Sequence, residues 1–467
     1  VIRDLKGRMT GLSRRAATCV IATMIFAAPA YAKPSDLIEL HRFSAMNNPV
    51  IEEANSDRTA AEYGKLNALL GFLPSAALVF DRERVRQEVV RTDNSVFETG
   101  KGTFNNSTRS LVASIPLFDM RVIGRLKQAN ATKARSESLV AAARSDVAQA
   151  VVQTYLTALA AYDGLRLAEE EFTALSTHLD AAERRLRQGV GNQVDLDAIR
   201  FEAEDSRARA VQAFGLLQSR FAQLEQLTGS VPEGLLPLRE NLKLPVIADL
   251  NADTWIEAAM TGNPELQALD RGADIARGIV YEESGEALPR AELLFSHDRR
   301  DTGGSLFGGG SLTNETSAIV RVTVPLFNPR GRGYGGLNTY QDYKSAQWRV
   351  NARQREIKEA VVSTLAELRS NLSRSEIFDR AIRNQQTVRN SVVTKFTSGL
   401  ATITELTDAE TDLFDARRAA LGARYDYLIN RMRLKALTGA ESESEITEIN
   451  NLLDRQAQPV VPRAPRV

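Results

Sequence analysis

Leu73-Pro74-Ser75-Ala76-Ala77-Leu78-Val79-Phe80 returns 215 residues later as Leu288-Pro289-Arg290-Ala291-Glu292-Leu293-Leu294-Phe295. Upstream, Ala45-Met46-Asn47-Asn48-Pro49 matches Ala259-Met260-Thr261-Gly262-Asn263-Pro264. Downstream, Ile115-Pro116-Leu117-Phe118-Asp119 matches Val324-Pro325-Leu326-Phe327-Asn328 at an offset of 209. Ala150-Val151-Val152 and Leu227-Thr228-Gly229 then match Ala360-Val361-Val362 and Leu437-Thr438-Gly439 at 210. One apolar match is chance; five in the same order are a duplication. The two copies cover residues 33–240 and 241–445, and their indels concentrate around residues 81–114, where a variable loop is expected.

Each copy pairs Pro-containing strand segments with a very long proline-free stretch. No proline falls between Pro116 and Pro232, or between Pro329 and Pro459. Val147, Val151, Tyr155, Leu159 and Tyr162 recur at three- and four-residue steps, as do Ile357, Val361, Leu365 and Leu368, so each stretch carries one apolar helical face. Gly189-Val190-Gly191-Asn192 and Ser398-Gly399-Leu400-Ala401 break them, and glycine and asparagine there suit a helix end and tight turn. Each copy thus predicts a helix of about 65 residues, a turn, and a helix of about 35; the longer reaches ~100 Å and needs coiled-coil support.

The strand segments are predicted at 76–86, 108–117, 293–299 and 317–325. Gly100, Gly102, Asn105 and Asn106 read as a polar loop between the first two, and Gly303 to Gly310 as one between the last two. Leu111, Ala113, Ile115 and Leu117 alternate with Ser110, Val112, Ser114 and Pro116; Ala318, Val320, Val322 and Val324 alternate with Ile319, Arg321 and Thr323. Such alternation suits a transmembrane barrel strand, and equally an amphipathic hairpin. If the strands enter lipid, four cannot stand alone, because an unpaired sheet edge finds no water there. Closed barrels start near eight strands, so several chains must pool theirs.

Arg14 and Arg15, the apolar run Ala16 to Ala28 and Ala30-Tyr31-Ala32 have the form of a secretory signal peptide over 1–32, cleaved before Lys33, with Met9 the expected start. Cys19, the only cysteine, lies inside it, so the mature chain has no disulfide. Removing five cations against Asp4 takes the zero net charge to −4. That balance gives nucleic acid no purchase. With 43% hydrophobic and 25% charged residues the chain is globular. The 446–467 segment, which ends in the Pro- and Arg-containing stretch Pro459 to Val467, reads as a disordered tail.

Gly399-Leu400-Ala401-Thr402-Ile403-Thr404-Glu405-Leu406-Thr407-Asp408-Ala409-Glu410, with Leu413 to Arg417 and Ala423 to Leu428 after it, resembles the TolC-like outer-membrane efflux protein family. The tandem halves, the Asn-Pro motifs and the Pro-Leu-Phe-Asp/Asn strand exits share that likeness, which covers nearly the whole mature chain. The resemblance implies a mainly α, mixed fold: a homotrimer whose helical hairpins form a periplasmic α-barrel and whose strands share one twelve-stranded transmembrane β-barrel in outer-membrane lipid. It also implies a periplasmic adaptor and an inner-membrane pump as partners, for drug efflux or type I secretion. A periplasmic adaptor or coiled-coil scaffold is the alternative; one hairpin between β-domains is its usual form, whereas this chain repeats strands and hairpin.

By the same resemblance Glu405 and Asp408, three apart on one helix face, are candidates for an acidic ring at the periplasmic entrance. A solvated helix face is the plainer reading, and no arginine precedes Glu405 in the turn. Asp195 and Asp197 are possible lining residues, with Asp195 the expected helix cap. Arg187, Gln188, Gly189, Asn192 and Gly399 at the hairpin tips are candidate adaptor contacts. No His-Glu-x-x-His pair, phosphate loop or Gly-x-Ser-x-Gly elbow occurs. His41, His178 and His297 lack ligand spacing and read as surface or interface residues. No enzyme activity, metal or cofactor is expected.

Overall fold

The computed structural model describes residues 36–91, 93, 99–239, 242–247, 249–326, 334–439 and 442–466. The expected signal peptide, and Phe327-Asn328 of the second strand exit, lie outside them.

The two copies share one layout. The first runs α1 (Leu37–Asn47), α2 (Pro49–Leu70), β1 (Ser75–Val89), β2 (Gly100–Phe118), α3 (Met120–Arg187) and α4 (Gln193–Thr228). The second runs α5 (Ala252–Gly262), α6 (Pro264–Gly285), β3 (Arg290–Thr302), β4 (Ser311–Thr323), α7 (Tyr334–Thr397) and α8 (Ile403–Leu437), and α9 (Ser442–Asn450) follows. The long helices have 68 and 64 residues and the return helices 36 and 35, close to the lengths read from the sequence. The strand-exit motif starts α3: Asp119 accepts a hydrogen bond from the Arg121 backbone N–H at 2.9 Å and so satisfies an orphan donor of the first turn.

The duplicated motifs are the two sides of one hydrogen bond. Asn48 caps α2, accepting from the Val50 N–H, while its amide donates to the Leu227 carbonyl at 3.0 Å. Asn263 caps α6, accepting from the Leu266 N–H, and donates to the Leu437 carbonyl at 3.0 Å. Each Asn-Pro thus holds the end of its own copy's return helix at Leu-Thr-Gly, and proline sits at the first helical position, where no N–H is needed.

The core lies where α3, α4, α7 and α8 converge. Val151, Tyr155, Leu156 and Leu159 of α3 pack with Leu217 and Leu224 of α4, Ile357, Val361 and Leu365 of α7, and Tyr427, Leu428 and Met432 of α8. Burying each such side chain contributes ~1.5–3 kcal/mol. No helix among the described residues is long and apolar enough to cross a membrane.

The strands form one antiparallel sheet in the order β1-β2-β3-β4, so β1 and β4 each pair on one side only. The register places Leu78, Leu111, His297 and Thr316 in one row, with Ala76, Ala113, Phe295 and Ala318 in the adjacent row on the same face. Ile115, Leu293 and Val320 continue that face, which is therefore apolar. The opposite face is mixed: Val79, Ser110, Asp298 and Glu315 form one row and Pro116, Glu292 and Arg321 another, with Val112, Leu294 and Ile319 in the rows between.

Two expectations change. Gly100, Gly102, Asn105 and Asn106 belong to β2, pairing with Val89, Gln87, Arg84 and Glu83. The strands continue past their apolar segment on backbone pairing alone, which polar residues and glycine do not prevent. The C-terminal segment is packed rather than disordered. Ile446 and Ile449 of α9 and the later Leu453 and Val460 are buried, Val460 bridges Leu235, and Leu453 bridges Leu238. Arg431 of α8 pins α9 through Glu445 at 3.0 Å and Glu448 at 2.5 Å.

Candidate functional site

The tips of the two helical hairpins meet. Ala182 of α3, Leu196 and Ile199 of α4, Phe396 of α7, and Ile403 and Leu406 of α8 form a small core separate from the main one. The Arg185 guanidinium adds a contact over the Phe396 ring, 4.7 Å from its centre. Both turns use one geometry. Gly189 and Gly399 sit at φ +74°, where an L side chain is strained. The Val190 N–H returns to the Arg185 carbonyl at 3.0 Å, and the Leu400 N–H to the Lys395 carbonyl at 2.8 Å, closing the last helical turn. The apolar residues after these glycines stay in water, Val190 72% and Leu400 79% exposed.

The acidic candidates separate. Asn192, not Asp195, caps α4, accepting from the Val194 N–H at 3.0 Å. Asp195 is half-buried in the first turn, where a carboxylate favours the positive end of the helix dipole. Asp197 is engaged by Arg200 at 3.2 Å and by the Gln193 amide at 3.0 Å. In the second tip Thr402 and Glu405 form a reciprocal capping box: the Glu405 carboxylate accepts from the Thr402 N–H at 2.7 Å, and the Thr402 hydroxyl accepts from the Glu405 N–H at 3.1 Å. Glu405 and Asp408 are both exposed, and neither forms an ion pair among the described residues. Arg187 reaches Glu183 at 3.6 Å, and Gln188 and Asn192 are exposed beside it.

Behind the tips lie charges whose burial the sequence did not reveal. Glu410 of α8 is 1% exposed; its Oε1 is 3.0 Å from His178 Nε2 of α3 and accepts from Arg389 Nε of α7 at 2.7 Å. Burial pushes its carboxyl upward, but the His178 and Arg389 hydrogen bonds outweigh that and hold it below the usual glutamate range. Glu171 of α3, also buried, accepts from Arg209 of α4 at 3.0 Å and Arg418 of α8 at 2.7 Å. Each buried acid thus ties α3 to α8 and to one further helix. His178 is an interface residue, and its partner is 232 positions away.

Comparison with known proteins agrees with this arrangement. The family model described as "Outer membrane efflux protein" matches residues 44–230 and 255–440, one segment in each copy. The alkaline protease secretion protein AprF of Pseudomonas aeruginosa is 22% identical over 423 residues, covering 88% of this chain and 85% of that protein. The outer membrane protein TolC of Escherichia coli K12 is 23% identical over 436 residues, covering 91% and 86%. The solved outer-membrane channel OprN superposes with a TM-score of 0.77 at 14% identity, over 87% of this chain and 90% of that one.

Proposed function

The chain belongs to the outer membrane efflux protein family, and we propose that three copies build one duct, each giving four strands to a closed barrel and two helical hairpins to the tube beneath. It is an outer-membrane export channel subunit that extends into the periplasm. The observation that carries the shared barrel is the sheet: apolar on one face, mixed on the other, and open at both β1 and β4. A sheet whose apolar face meets lipid must close, and four strands cannot close alone. Joining β4 of one copy to β1 of the next turns three sheets into a ring without edges. An adaptor would have no use for such a sheet.

In this reading the mixed sheet face lines the pore, and the hairpin tips form the periplasmic entrance. Exposed Val190 and Leu400 offer an adaptor apolar footholds between Arg187, Gln188 and Asn192. Glu405 and Asp408 face the axis and favour cations over anions. An inner-membrane pump supplies the cargo. AprF is named for protease secretion, so an unfolded polypeptide is the first cargo to test, and small drugs the second.

The deciding experiment is single-channel conductance in a planar bilayer, with Glu405→Gln/Asp408→Asn beside the wild type. Glutamine still serves a capping box, so this variant removes charge and keeps the turn. Cation-selective pores that lose selectivity in the variant support both duct and entrance. Unchanged selectivity returns the two carboxylates to helix capping and solvation. A folded oligomer that inserts no pore overturns the duct.

A further inference from the structure

The apolar face of the sheet ends in arginine. Moving from the helical end toward the β1–β2 and β3–β4 turns, Phe80, Arg109, Arg299 and Asn314 form one row. Arg82, Ser107, Asp301 and Leu312 form the next on the same face, followed by Arg84 beside Asn105 and Arg86 beside Thr103. All five guanidiniums are on exposed residues. The strand ion pairs among the described residues, Lys101–Glu88 and Arg321–Glu292, involve none of them. The opposite face at the same height is acidic, with Asp81, Glu83, Asp298 and Glu315 against Arg300. Charge is therefore largely sorted across the sheet at this height, five arginines and Asp301 on one face against four acids and Arg300 on the other.

Arg109 and Arg299 stand directly opposite each other on paired strands. Like charges so placed destabilise a sheet unless an anion lies between them. Arg82 is one row further out on the adjacent strand, so three cations converge just beyond Phe80 and Leu78, which are 71% and 68% exposed. We propose that this collar binds the phosphorylated headgroup of an outer-leaflet glycolipid, with Arg82, Arg109 and Arg299 on its phosphate and its acyl chains along Leu78, Phe80 and Leu111. Guanidinium pairs with phosphate bidentately, which suits a fixed row of arginines better than a diffuse basic surface does. The collar continues the lipid-facing band at the height where that lipid's charge lies, and a lipid is the one anion that can meet both the arginines and the apolar surface beneath them. The inference rests on the reading that the sheet spans the outer membrane with its turns outside.

The test uses the purified full-length oligomer in neutral detergent, a bis-phosphorylated acylated diglucosamine lipid and its dephosphorylated counterpart, with bound lipid counted by native mass spectrometry. Wild type retains the phosphorylated lipid in preference, and Arg109→Gln/Arg299→Gln reduces that retention about tenfold, the usual scale for losing charge-assisted hydrogen bonds. Arg109→Lys/Arg299→Lys recovers part of it, because charge returns without the bidentate fork. Arg300→Gln removes the same charge from the other face and leaves retention unchanged. Equal retention of both lipids by wild type, or full retention by the double glutamine variant, overturns the proposal. Pore formation is recorded in parallel in neutral-lipid bilayers: absence of pores brings down the channel reading, whereas pores without phosphate discrimination overturn the collar alone.

Discussion

Helices α2 and α6 are the same element made twice, and they live in different surroundings. Each has 22 residues, begins with proline after a capping asparagine and is anchored to a return helix by the same side-chain bond. Yet α6 buries Pro264, Leu266, Ala268, Ala273, Gly278 and Gly285, whereas α2 buries Ile51 alone. Helix α6 lies between α3 and α7, whereas α2 lies against α3 and touches α1 briefly. Val50, Tyr63, Leu66 and Leu70 of α2 are left in water. Their exposure marks a missing neighbour: by the repeat, the place beside α2 corresponds to the place that α7 takes beside α6. In the proposed ring, a second chain's α7 would fill it when β4 of that chain joins β1 of this one.

The strongest way to break this comparison is to charge the bare face. Tyr63→Glu/Leu66→Glu is expected to abolish the oligomer in sedimentation while helical circular dichroism persists, because two unpaired charges cannot be buried at an interface. A trimer that survives both charges would mean that α2 faces solvent and differs from α6 for another reason.

Next in size is a change wholly inside one chain. Glu410→Ala leaves Arg389 and His178 without their shared carboxylate and should cost about 3 kcal/mol in denaturant unfolding. Its effect on assembly midpoint at fixed folded concentration should be small, the reverse of the α2 pattern. The same group gives a pH dependence. Folding lowers the Glu410 pKa, so its stabilisation is complete above the ordinary glutamate range and is lost as pH falls through that range and below. Acid unfolding should lose this component in Glu410→Gln, measured as a shallower loss of stability on acidification.

Smaller effects sharpen the equivalence of the halves. Asn48→Ala and Asn263→Ala each remove a cap and a hydrogen bond and should cost about 1–2 kcal/mol apiece. Similar values would show that both joints are set within the chain. A much smaller cost at Asn48 would assign its joint to the neighbouring copy. Last, Glu405→Ala loses the capping box that Glu405→Gln keeps; thermal unfolding should separate the two by about 0.5–1 kcal/mol.

The long hairpins were legible because absence of proline, a 3.6-residue apolar period and glycine-bearing breaks are local signals. Strand ends were not, since Gly100 to Asn106 pair through backbone and carry no alternation. The buried tail was hidden because Leu453 and Val460 belong to short apolar pairs, Leu452-Leu453 and Val460-Val461, in a polar, proline-containing run. At the tips, Thr402-x-x-Glu405 had the spacing of a capping box, yet only the structure reveals that the Glu405 carboxylate is spent on it. Nothing in the sequence marks Glu410 and Glu171 as buried, since their cations come from helices remote in sequence. The acidic entrance and the adaptor contacts remain proposals that the tip geometry supports.

The two unpaired strands carry a kinetic consequence. A lone subunit holds β1 and β4 as open templates that can pair with any extended chain. Productive assembly takes two successive bimolecular captures, subunit by subunit and then pair by subunit, so its rate climbs steeply with local subunit concentration, whereas off-pathway pairing needs only one stray strand. Synthesis in bursts, or delivery of several subunits to one patch of membrane, would favour the ring. Slow, dilute arrival would favour aggregates, and the stability of the finished duct cannot be separated from the concentration at which its parts met.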